Sequence, residues 1–456
     1  MRRSADSASR AGFGFAGVCL GYFAIILDGS VLNLAVPVIR RELGSTISGA
    51  QWVLNAYTLV LAALLLTAGA LGDRIGHRRL LLGGLALFTV SSAACALARS
   101  TEALVAARAV QGLGAAGLLP ATLALVPHLF PAGPRRERAT VVWVAIGAAA
   151  MAVGPFVGGL LITAFGWRSI FLLNLPVGVV GGLLVRWGVV ETRRRESRVD
   201  HVGQVLAAGT LGMVTAGLIA AGSAGWTSAV TLGLLGAGVA AGVAFWAVER
   251  RVVAPLLPLA FLAERARAVA VYAALSMGVL FYGALFVLSL YFQQLRGWSP
   301  SQAGFALLPY TVGPVLAPLV LYRPLARRFG HARMLVAGFA CSAAGSAILA
   351  FLGPRTGYPF IAVGLLLAGG ASTVVFSALT SLLLSTVSSA TAGLASGIQN
   401  TARQSGALLG VAVFGSVLST AAFQRGLQTA FLVMVAIELA GIAAGLTLVR
   451  RPPLEP

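Results

Sequence analysis

Long apolar runs separated by short polar segments fill the chain from end to end. Fourteen of these runs are long enough for helices of about 20 residues, the length that crosses a hydrocarbon core of ~30 Å. The predicted spans are residues 12–38, 51–71, 80–98, 103–127, 139–163, 170–190, 202–222, 229–248, 268–292, 303–322, 334–352, 358–384, 395–419 and 430–449. The pattern therefore predicts an all-α membrane protein with fourteen transmembrane helices.

Composition agrees with this pattern, because 58% of the 456 residues are hydrophobic and only 10% are charged. The formal net charge of +20 would suit a nucleic-acid partner, but the distribution of the charge follows the predicted spans. All 33 basic residues are arginine, and with a cytoplasmic N-terminus 24 of them fall at the inner face and seven at the outer face. The positive-inside rule then predicts that both termini are cytoplasmic and that the basicity sets topology, with no nucleic-acid partner.

Two polar segments, residues 191–201 and 249–268, divide the row of spans into groups of six, two and six. This arrangement predicts two six-helix halves joined by an inserted two-helix hairpin. The predicted boundaries are 1–190 for the N-terminal half, 191–267 for the linker with its hairpin, and 268–456 for the C-terminal half.

An internal repeat supports the two halves. "GALGDRIGHRRLL" (69–81) follows the second span, and "RPLARRFGHARML" (323–335) follows the second span of the C-terminal half. Leucine, arginine, glycine and histidine positions match between them at a constant offset of 254 residues. Parallel repeats are a known construction of secondary transporters, whose substrate site lies at the midplane between the halves.

These stretches resemble a known family. "GALGDRIGHRRLL" is similar to the cytoplasmic signature between helices two and three of the major facilitator superfamily. Five further stretches resemble motifs of its fourteen-span drug:proton antiporters, namely "LDGSVLNLAVP" (27–37), "LVAARAVQGLGAA" (104–116), "GPFVGGLL" (154–161), "WRSIFLLNLPVG" (167–178) and "AGLASGIQNTARQSGALLGVAV" (392–413). The resemblance runs through nearly the whole chain and implies the two-halved major facilitator fold. Two positions depart from the family pattern, with Arg327 in place of an acidic residue and Ala150 in place of a glycine.

The first signature implies a cytoplasmic gate made by Gly72, Asp73, Arg74, Gly76 and Arg78. Glycine allows a tight turn between two helices, and the Asp73 carboxylate can cap a helix or pair with a nearby arginine. A contact between Asp73 and an arginine can break and re-form as the gate opens and closes. The alternative is that the charges in this segment only fix the membrane topology. The arginine in the second copy of the signature cannot accept the same hydrogen bonds, so any latch is asymmetric.

The fifth-helix motif combines Gly154 and Gly158, one helical turn apart, with Pro155 and Gly159. Small residues at this spacing let another helix approach closely, and proline removes a backbone donor and favours a kink. The motif therefore predicts a sliding or bending interface, with helix packing alone as the alternative.

Asp28 and Arg108 are the first candidates for proton coupling. Both lie in apolar spans, and at ~1.5 Å per residue their predicted depths differ by less than about 10 Å. A carboxylate buried in a membrane must face a cavity, pair with a cation or carry a proton. A conformational change that alters the burial of Asp28 or its distance from Arg108 would make it a proton carrier. A static buried pair and a local helix cap near Gly29 are the alternatives.

The thirteenth and fourteenth spans carry a second polar group. Gln399, Asn400, Arg403 and Gln404 share one stripe of the thirteenth span, and Glu438 lies inside the fourteenth. An Arg403–Glu438 ion pair and a direct role in binding substrate or protons both stay open, so Glu438 is a further proton-coupling candidate. The predicted polar cavity consists of Asn33, Gln111, Gln399, Asn400, Arg403 and Gln404.

The sequence carries no enzyme signature, since it has no lysine for a phosphate-binding loop and no HExxH zinc motif. We therefore predict no catalytic residue, no metal site and no cofactor. A gradient must then supply the energy, and a charge that crosses 100 mV gains ~2.3 kcal/mol. The resemblance implies a proton-coupled antiporter of the bacterial cytoplasmic membrane that exports lipophilic drugs or antibiotics by alternating access.

The expected partners are a small lipophilic substrate, protons and membrane lipids, and the expected state is a monomer. Two alternatives stay open. A uniporter or importer of a small metabolite on the same fold would tolerate Asp28→Asn, and a non-transporting membrane sensor would give no substrate-dependent proton flux.

Overall fold

The computed structural model of the protein describes residues 2–192, 200–252, 255–317, 322–388, 391–420 and 422–450. Helices fill nearly all of this part of the chain, and it contains no strand. The helices are α1 Arg2–Leu43, α2 Ile47–Ile75, α3 His77–Leu97, α4 Thr101–Leu129, α5 Pro134–Phe165, α6 Arg168–Gly188, α7 His201–Ala224, α8 Ala229–Glu249, α9 Arg265–Leu290, α10 Pro300–Ala306, α11 Leu308–Ala317, α12 Arg323–Phe329, α13 His331–Leu349, α14 Tyr358–Ser385, α15 Ala392–Thr420 and α16 Phe423–Arg450. A 3₁₀ turn at Leu259–Ala263 precedes α9, and a π-helical turn at Tyr291–Leu295 follows it.

Local sequence signals set several helix ends. The Thr46 hydroxyl accepts a hydrogen bond from the Gly49 amide at 3.1 Å and caps the start of α2. Gly76 between α2 and α3, and Gly330 between α12 and α13, have φ values of +101° and +80°, which residues with a side chain rarely adopt. The two turns occupy corresponding places in the repeated stretches, so the repeat extends to the backbone.

Twelve helices of the described part are long and apolar enough to cross a membrane, as expected for a multi-pass membrane protein. The predicted span 303–322 is interrupted at Leu307, because Pro309 has no amide hydrogen to bond with the Phe305 carbonyl. Residues 318–321 of that span lie outside the described residues. The predicted span 395–419 falls within α15, a continuous helix of 29 residues that is not among the twelve because of its polar stripe.

The two halves share one packing pattern. In the first, α1 packs against α5 and α6, α3 against α4 and α6, and α2 against α4. In the second, α9 packs against α15 and α16, α13 against α14 and α16, and α11 against α14. If α10 and α11 count as one element, the pairs are the same. The halves meet where α1 contacts α9, α2 contacts α15, and α5 contacts α10 and α11.

The hairpin α7–α8 packs beside this contact between halves. Its helix α7 lies against α2 and α15, while α8 packs mainly on α7. The Gln204 side-chain amide donates a hydrogen bond to the Ala63 carbonyl at 2.6 Å, which fixes α7 on α2. Apolar side chains on α8, such as Val239 and Val243, are exposed.

Candidate functional site

Asp28 of α1 and Arg108 of α4 form a buried ion pair. The Arg108 guanidinium donates to the Asp28 carboxylate at 2.5 Å, and 1% of the arginine and 3% of the aspartate side chain is exposed. Their predicted depths in the membrane indicated that the two side chains could meet, and the structure brings them into contact. A buried ion pair loses much hydration free energy, so it needs further hydrogen bonds.

Two amides and a hydroxyl complete the Asp28 cluster. Gln111 Nε2 and Asn174 Nδ2 donate to Asp28 Oδ1 at 3.1 and 3.0 Å. The same amide groups donate to Ser92 Oγ at 2.8 and 3.3 Å. Sequence reasoning placed Gln111 in the cavity and did not identify Ser92 or Asn174. The signal for Asn174 was present, because it stands inside the stretch that resembles the sixth-helix motif.

Arg108 connects this cluster to a cavity between the halves. Its Nε donates to the Val53 carbonyl at 3.2 Å, and its guanidinium carbon lies 4.2 Å from the centre of the Tyr57 ring. Arg108 and Tyr57 both line the cavity, whereas Asp28 does not. A change in the cavity can therefore reach the carboxylate through Arg108.

The cavity is lined by α1, α2 and α4 of one half and by α9 and α15 of the other. Its lining residues include none from α7 or α8. Three of the six predicted cavity residues line it, namely Asn33, Arg403 and Gln404. The other three are bonded elsewhere: Gln111 in the Asp28 cluster, Gln399 to Thr380 Oγ1 at 2.8 Å and Asn400 to the Ser396 carbonyl at 3.0 Å.

The Arg403–Glu438 ion pair, one of the two possibilities left open by the sequence, does not form in the structure. Arg403 turns towards α9, where it donates to the Tyr282 hydroxyl at 3.5 Å and, on its own helix, to Asn400 Oδ1 at 3.4 Å. Glu438 instead faces α13 and is fully buried. The two helices are neighbours in the bundle, but these two side chains project from them towards different helices, which the linear sequence does not reveal.

Glu438 accepts two hydroxyl hydrogen bonds. Ser342 and Ser346 donate to Glu438 Oε1 at 2.5 and 3.0 Å, and Oε2 has no hydrogen-bond partner within the described part of the chain. Ser346 stands 254 residues after Ser92, the offset that relates the repeated loops. Each half therefore bonds a buried polar group of its sixth helix to the corresponding serine of its third helix.

Hydrogen bonds between the halves cluster towards one end of the bundle, where α1 ends and α2 begins. Those present in the described part join Gln51 Nε2 to the Val411 and Ala412 carbonyls (3.0 and 2.9 Å), Ser289 Oγ to the Asn33 carbonyl (2.7 Å), Gln293 Nε2 to the Leu34 carbonyl (3.0 Å), the Ser301 amide to Thr163 Oγ1 (3.1 Å) and Thr311 Oγ1 to the Ala152 carbonyl (2.9 Å). These bonds close this end of the cavity.

The fifth-helix motif lies in this closed region. A Cβ added to Gly154 or Gly158 would clash with Ser30 or Val31 of α1, and one added to Gly159 would clash with the Pro300 backbone at the start of α10. Pro155 lies within a continuous α5, and its carbonyl faces Gly304 of α10. The small residues therefore let α5 pack closely against α1 of its own half and α10 of the other half.

The predicted gate residues lie at the turn between α2 and α3. Asp73 Oδ1 lies 3.2 Å from His77 Nε2, so the carboxylate pairs with histidine and not with Arg74 or Arg78. Asp73 belongs to the last turn of α2 and His77 begins α3, so this contact spans the turn at Gly76. In this conformation Asp73 forms neither a helix cap nor an ion pair with an arginine of the described residues, and its role in a gate stays a prediction.

Glu191, after α6, provides the cap of α3. Its carboxylate oxygens accept hydrogen bonds from the amides of Arg78 and Arg79 at 3.1 and 3.2 Å. The Thr192 hydroxyl accepts one from the His77 amide at 2.9 Å. A carboxylate at a helix N-terminus is stabilised by the free amides and the helix dipole. Gly72 and Gly76 flank this turn, and a Cβ on Gly76 would clash with Glu191.

In chemical terms, the described residues provide a paired carboxylate, a second carboxyl group with no cation among those residues, and a cavity lined by two guanidinium groups. These groups can bind protons and an organic molecule. No group of three histidine, cysteine or acidic residues in the described part could hold a metal ion.

Comparisons with known proteins agree on one family. Residues 18–411 match the family described as Major Facilitator Superfamily. The methylenomycin A resistance protein of Streptomyces coelicolor is 35% identical over 437 residues, which cover 95% of this chain and 91% of that protein. The multidrug resistance protein Stp of Mycobacterium tuberculosis is 35% identical over 402 residues, or 88% of this chain and 74% of that protein.

Two further comparisons extend this result. The tetracenomycin C resistance and export protein of Streptomyces glaucescens is 35% identical over 411 residues, which cover 88% of this chain and 75% of that protein. Among solved structures, the crystal structure of an auto-inhibited POT family peptide transporter aligns with a TM-score of 0.70 over 98% of each chain. At 17% identity this likeness concerns the fold alone.

Proposed function

Because this chain belongs to the Major Facilitator Superfamily, we propose that it exports a lipophilic drug or antibiotic in exchange for protons, by alternating access across the bacterial cytoplasmic membrane. The names of its relatives, which refer to resistance and export, support this substrate class. The observation that carries the proton coupling is the buried Asp28–Arg108 pair, whose arginine also lines the cavity between the halves.

The proposed topology has fourteen spans, with halves 1–190 and 268–456 and a hairpin inserted in 191–267. Twelve long helices, the α10–α11 pair and the continuous α15 together supply that number. Both termini are cytoplasmic in this proposal, since 24 arginines then fall inside and seven outside. Single cysteines introduced at residues 2 and 456 should react only with membrane-permeant thiol reagents in intact cells, and labelling by an impermeant reagent would contradict the topology.

With that topology, the closed end of the bundle faces the outside, and we interpret the conformation as inward-facing. Substrate enters the cavity from the cytoplasm or the inner leaflet. Opening to the outside breaks the hydrogen bonds that Gln51, Ser289 and Gln293 make to backbone carbonyls across the interface. The glycines that face α1 and α10 from α5 permit the helices to slide during this change. The cavity lies within one chain, which suits a monomer surrounded by lipid.

Proton exchange at Asp28 follows from its partners. In this state the carboxylate accepts hydrogen bonds from Arg108, Gln111 and Asn174. A movement that withdraws Arg108 would leave a buried charge uncompensated, and uptake of a proton would remove that cost. We assign the proton taken from the outside to this carboxylate, and a second proton site to Glu438.

The turn around Asp73 is the proposed cytoplasmic gate. Gly72, Asp73, Arg74, Gly76 and Arg78 lie where the N-terminal half would meet the other half when the inner side closes. In this conformation, Glu191 holds the start of α3 and Asp73 pairs with His77. Closure would exchange these contacts for contacts with the C-terminal half.

One reconstitution experiment tests this function. Purified full-length protein in liposomes, with an imposed pH gradient, should move a lipophilic substrate uphill and release protons in proportion to it. Neutral, cationic and anionic antibiotics form the screen, and protein-free liposomes form the control. Downhill movement without proton flux would favour a uniporter or importer, and the absence of any substrate-dependent flux would favour a sensor.

A further inference from the structure

The cavity between the halves contains a cation without a carboxylate partner. Arg403 lines the cavity from α15, and its side chain is buried. Its hydrogen bonds, to the Tyr282 hydroxyl at 3.5 Å and to Asn400 Oδ1 at 3.4 Å, are both long for a charged donor. Within the described part of the chain, no carboxylate oxygen lies within the 4.0 Å of an ion pair with it.

Arg108, the other cavity arginine, differs in this respect. Asp28 neutralises its charge at 2.5 Å, and Gln111 Oε1 accepts a further hydrogen bond from it at 2.6 Å. The Asp28 carboxylate is thereby occupied by donors from its own half. The described residues that line the cavity include no acidic residue. The net charge of the cavity wall is therefore positive and comes from Arg403.

A neighbouring hydroxyl adds capacity for an anion. The Tyr57 hydroxyl is buried without a hydrogen-bond partner among the described residues, and the Tyr57 side chain lines the cavity. A tyrosine hydroxyl donates to carboxylate, phenolate or sulfonate oxygens, and the guanidinium group binds such oxygens in pairs. Leu54, Leu61 and Val411 form an apolar wall around these donors.

A buried guanidinium group in a membrane is costly unless it pairs or faces a cavity. From this we infer that the cavity selects amphiphilic organic anions, with Arg403 as the cation that binds the anionic head and the apolar wall holding the body. The inference rests on the proposed export function and specifies its substrate class. A lipophilic cation would approach two guanidinium groups with no free carboxylate to receive it.

Three probes that share one aromatic body test this selectivity. They are 1-naphthylacetate, its methyl ester and 1-naphthylmethyl-trimethylammonium, titrated calorimetrically into the purified full-length protein. We expect the anion to bind roughly tenfold or more tightly than the ester or the cation, which is the effect of one charged hydrogen-bonded contact. Arg403→Gln should remove this preference and leave ester binding unchanged.

Two further variants keep the experiment decisive. Arg403→Lys retains the charge without the paired donors and should give intermediate affinity for the anion even if Arg403→Gln fails to fold. Arg355→Gln removes an exposed arginine outside the cavity and should bind all three probes as the parent does. Tighter binding of the cation, no measurable binding of the anion, or anion binding that is unchanged in both Arg403 variants would overturn the inference.

Transport in liposomes separates this inference from the proposed function. Proton-coupled export of the cation without export of the anion would leave the proposed function standing and refute the anion preference. Arg403-dependent binding of the anion, without pH-driven transport of any probe, would support the anion site and refute the export function.

Discussion

Asp28 and Glu438 are two buried carboxyl groups in corresponding halves of one bundle, and they have opposite electrostatic surroundings. Asp28 accepts from a guanidinium group and two amides, next to Ser92. Glu438 accepts from two serine hydroxyls, one of them the corresponding Ser346, and has no cation within the described residues. The repeat supplies the serine near each group, Ser92 or Ser346, whereas the carboxyl groups themselves lie on different helices of their halves, α1 and α16.

This difference separates the roles of the two groups. A buried charge without a counter-charge is costly in a membrane. The Asp28 site contains such a counter-charge in Arg108, whereas the described residues place no cation beside Glu438. Only Asp28 combines a charge partner with a path to the cavity, because Arg108 lines that cavity. In the proposed mechanism, the proton step that drives export therefore lies in the N-terminal half.

The largest effect should follow from removal of the N-terminal cation. Arg108→Gln leaves a buried carboxylate without its partner, and breaking such a pair costs about 3–5 kcal/mol. Thermal unfolding in detergent should show a much lower melting temperature, and export should be lost. The matched control is Arg168→Gln, which breaks the exposed pair with Glu42 and should cost about 0–1 kcal/mol. Equal effects of the two substitutions would contradict the role of Arg108.

Loss of the C-terminal carboxyl should have a smaller effect. Glu438→Gln keeps an oxygen that accepts from Ser342 and Ser346, and no ion pair is broken. We expect a nearly unchanged melting temperature, continued uphill export and fewer protons released per substrate, measured with a pH-sensitive dye in liposomes. Complete loss of uphill export in this variant, with Asp28 intact, would transfer the driving proton step to the C-terminal half.

The gate should affect turnover without affecting binding. Asp73→Asn removes a charge at the turn between α2 and α3, remote from the cavity, so transport should slow while the substrate dissociation constant stays unchanged. Glu191→Gln tests the cap separately and should lower stability by about 1 kcal/mol. Parallel loss of binding and turnover in Asp73→Asn would argue against a gating role.

The smallest effects concern the paired serines. Ser92→Ala and Ser346→Ala each remove one neutral hydrogen-bonding group from a network that keeps other partners, so each should cost about 1 kcal/mol. Similar shifts in melting temperature would support the correspondence between the halves. A loss as large as that of Arg108→Gln in either serine variant would mean that hydroxyl groups, and not the ion pair, hold that half together.

Hydrophobic periodicity predicted the all-helical, multi-pass fold. Helix after helix, the apolar runs correspond to the elements of the bundle, because a hydrocarbon core leaves few other ways to satisfy the backbone. The region after Ser299 was less predictable, since the effect of Pro309 depends on local geometry. Helix α15 is not counted among the twelve apolar helices, because its polar stripe lowers its mean hydropathy. The surrounding helices bury this stripe.

The site was predictable where charge is rare. Asp28 and Arg108 stand out because few ionisable residues occur inside apolar spans. Their similar predicted depths in the membrane allow the two side chains to meet. Ser92, Asn174 and Ser342 did not stand out, since neutral polar residues are common in membrane helices. The separation of Arg403 from Glu438 depends on the rotation of two helices about their axes, which no motif in the sequence encodes.

Uphill export by Asp28→Asn protein tests the central claim most directly. The variant and the parent are reconstituted at equal density, a pH gradient is imposed, and substrate and proton fluxes are measured together. Asparagine keeps the shape and one acceptor but cannot take up a proton, so we predict that gradient-driven export and coupled proton release disappear while substrate binding and downhill exchange persist. Export against the gradient at the parental rate would show that Asp28 is structural and would contradict the proposed coupling.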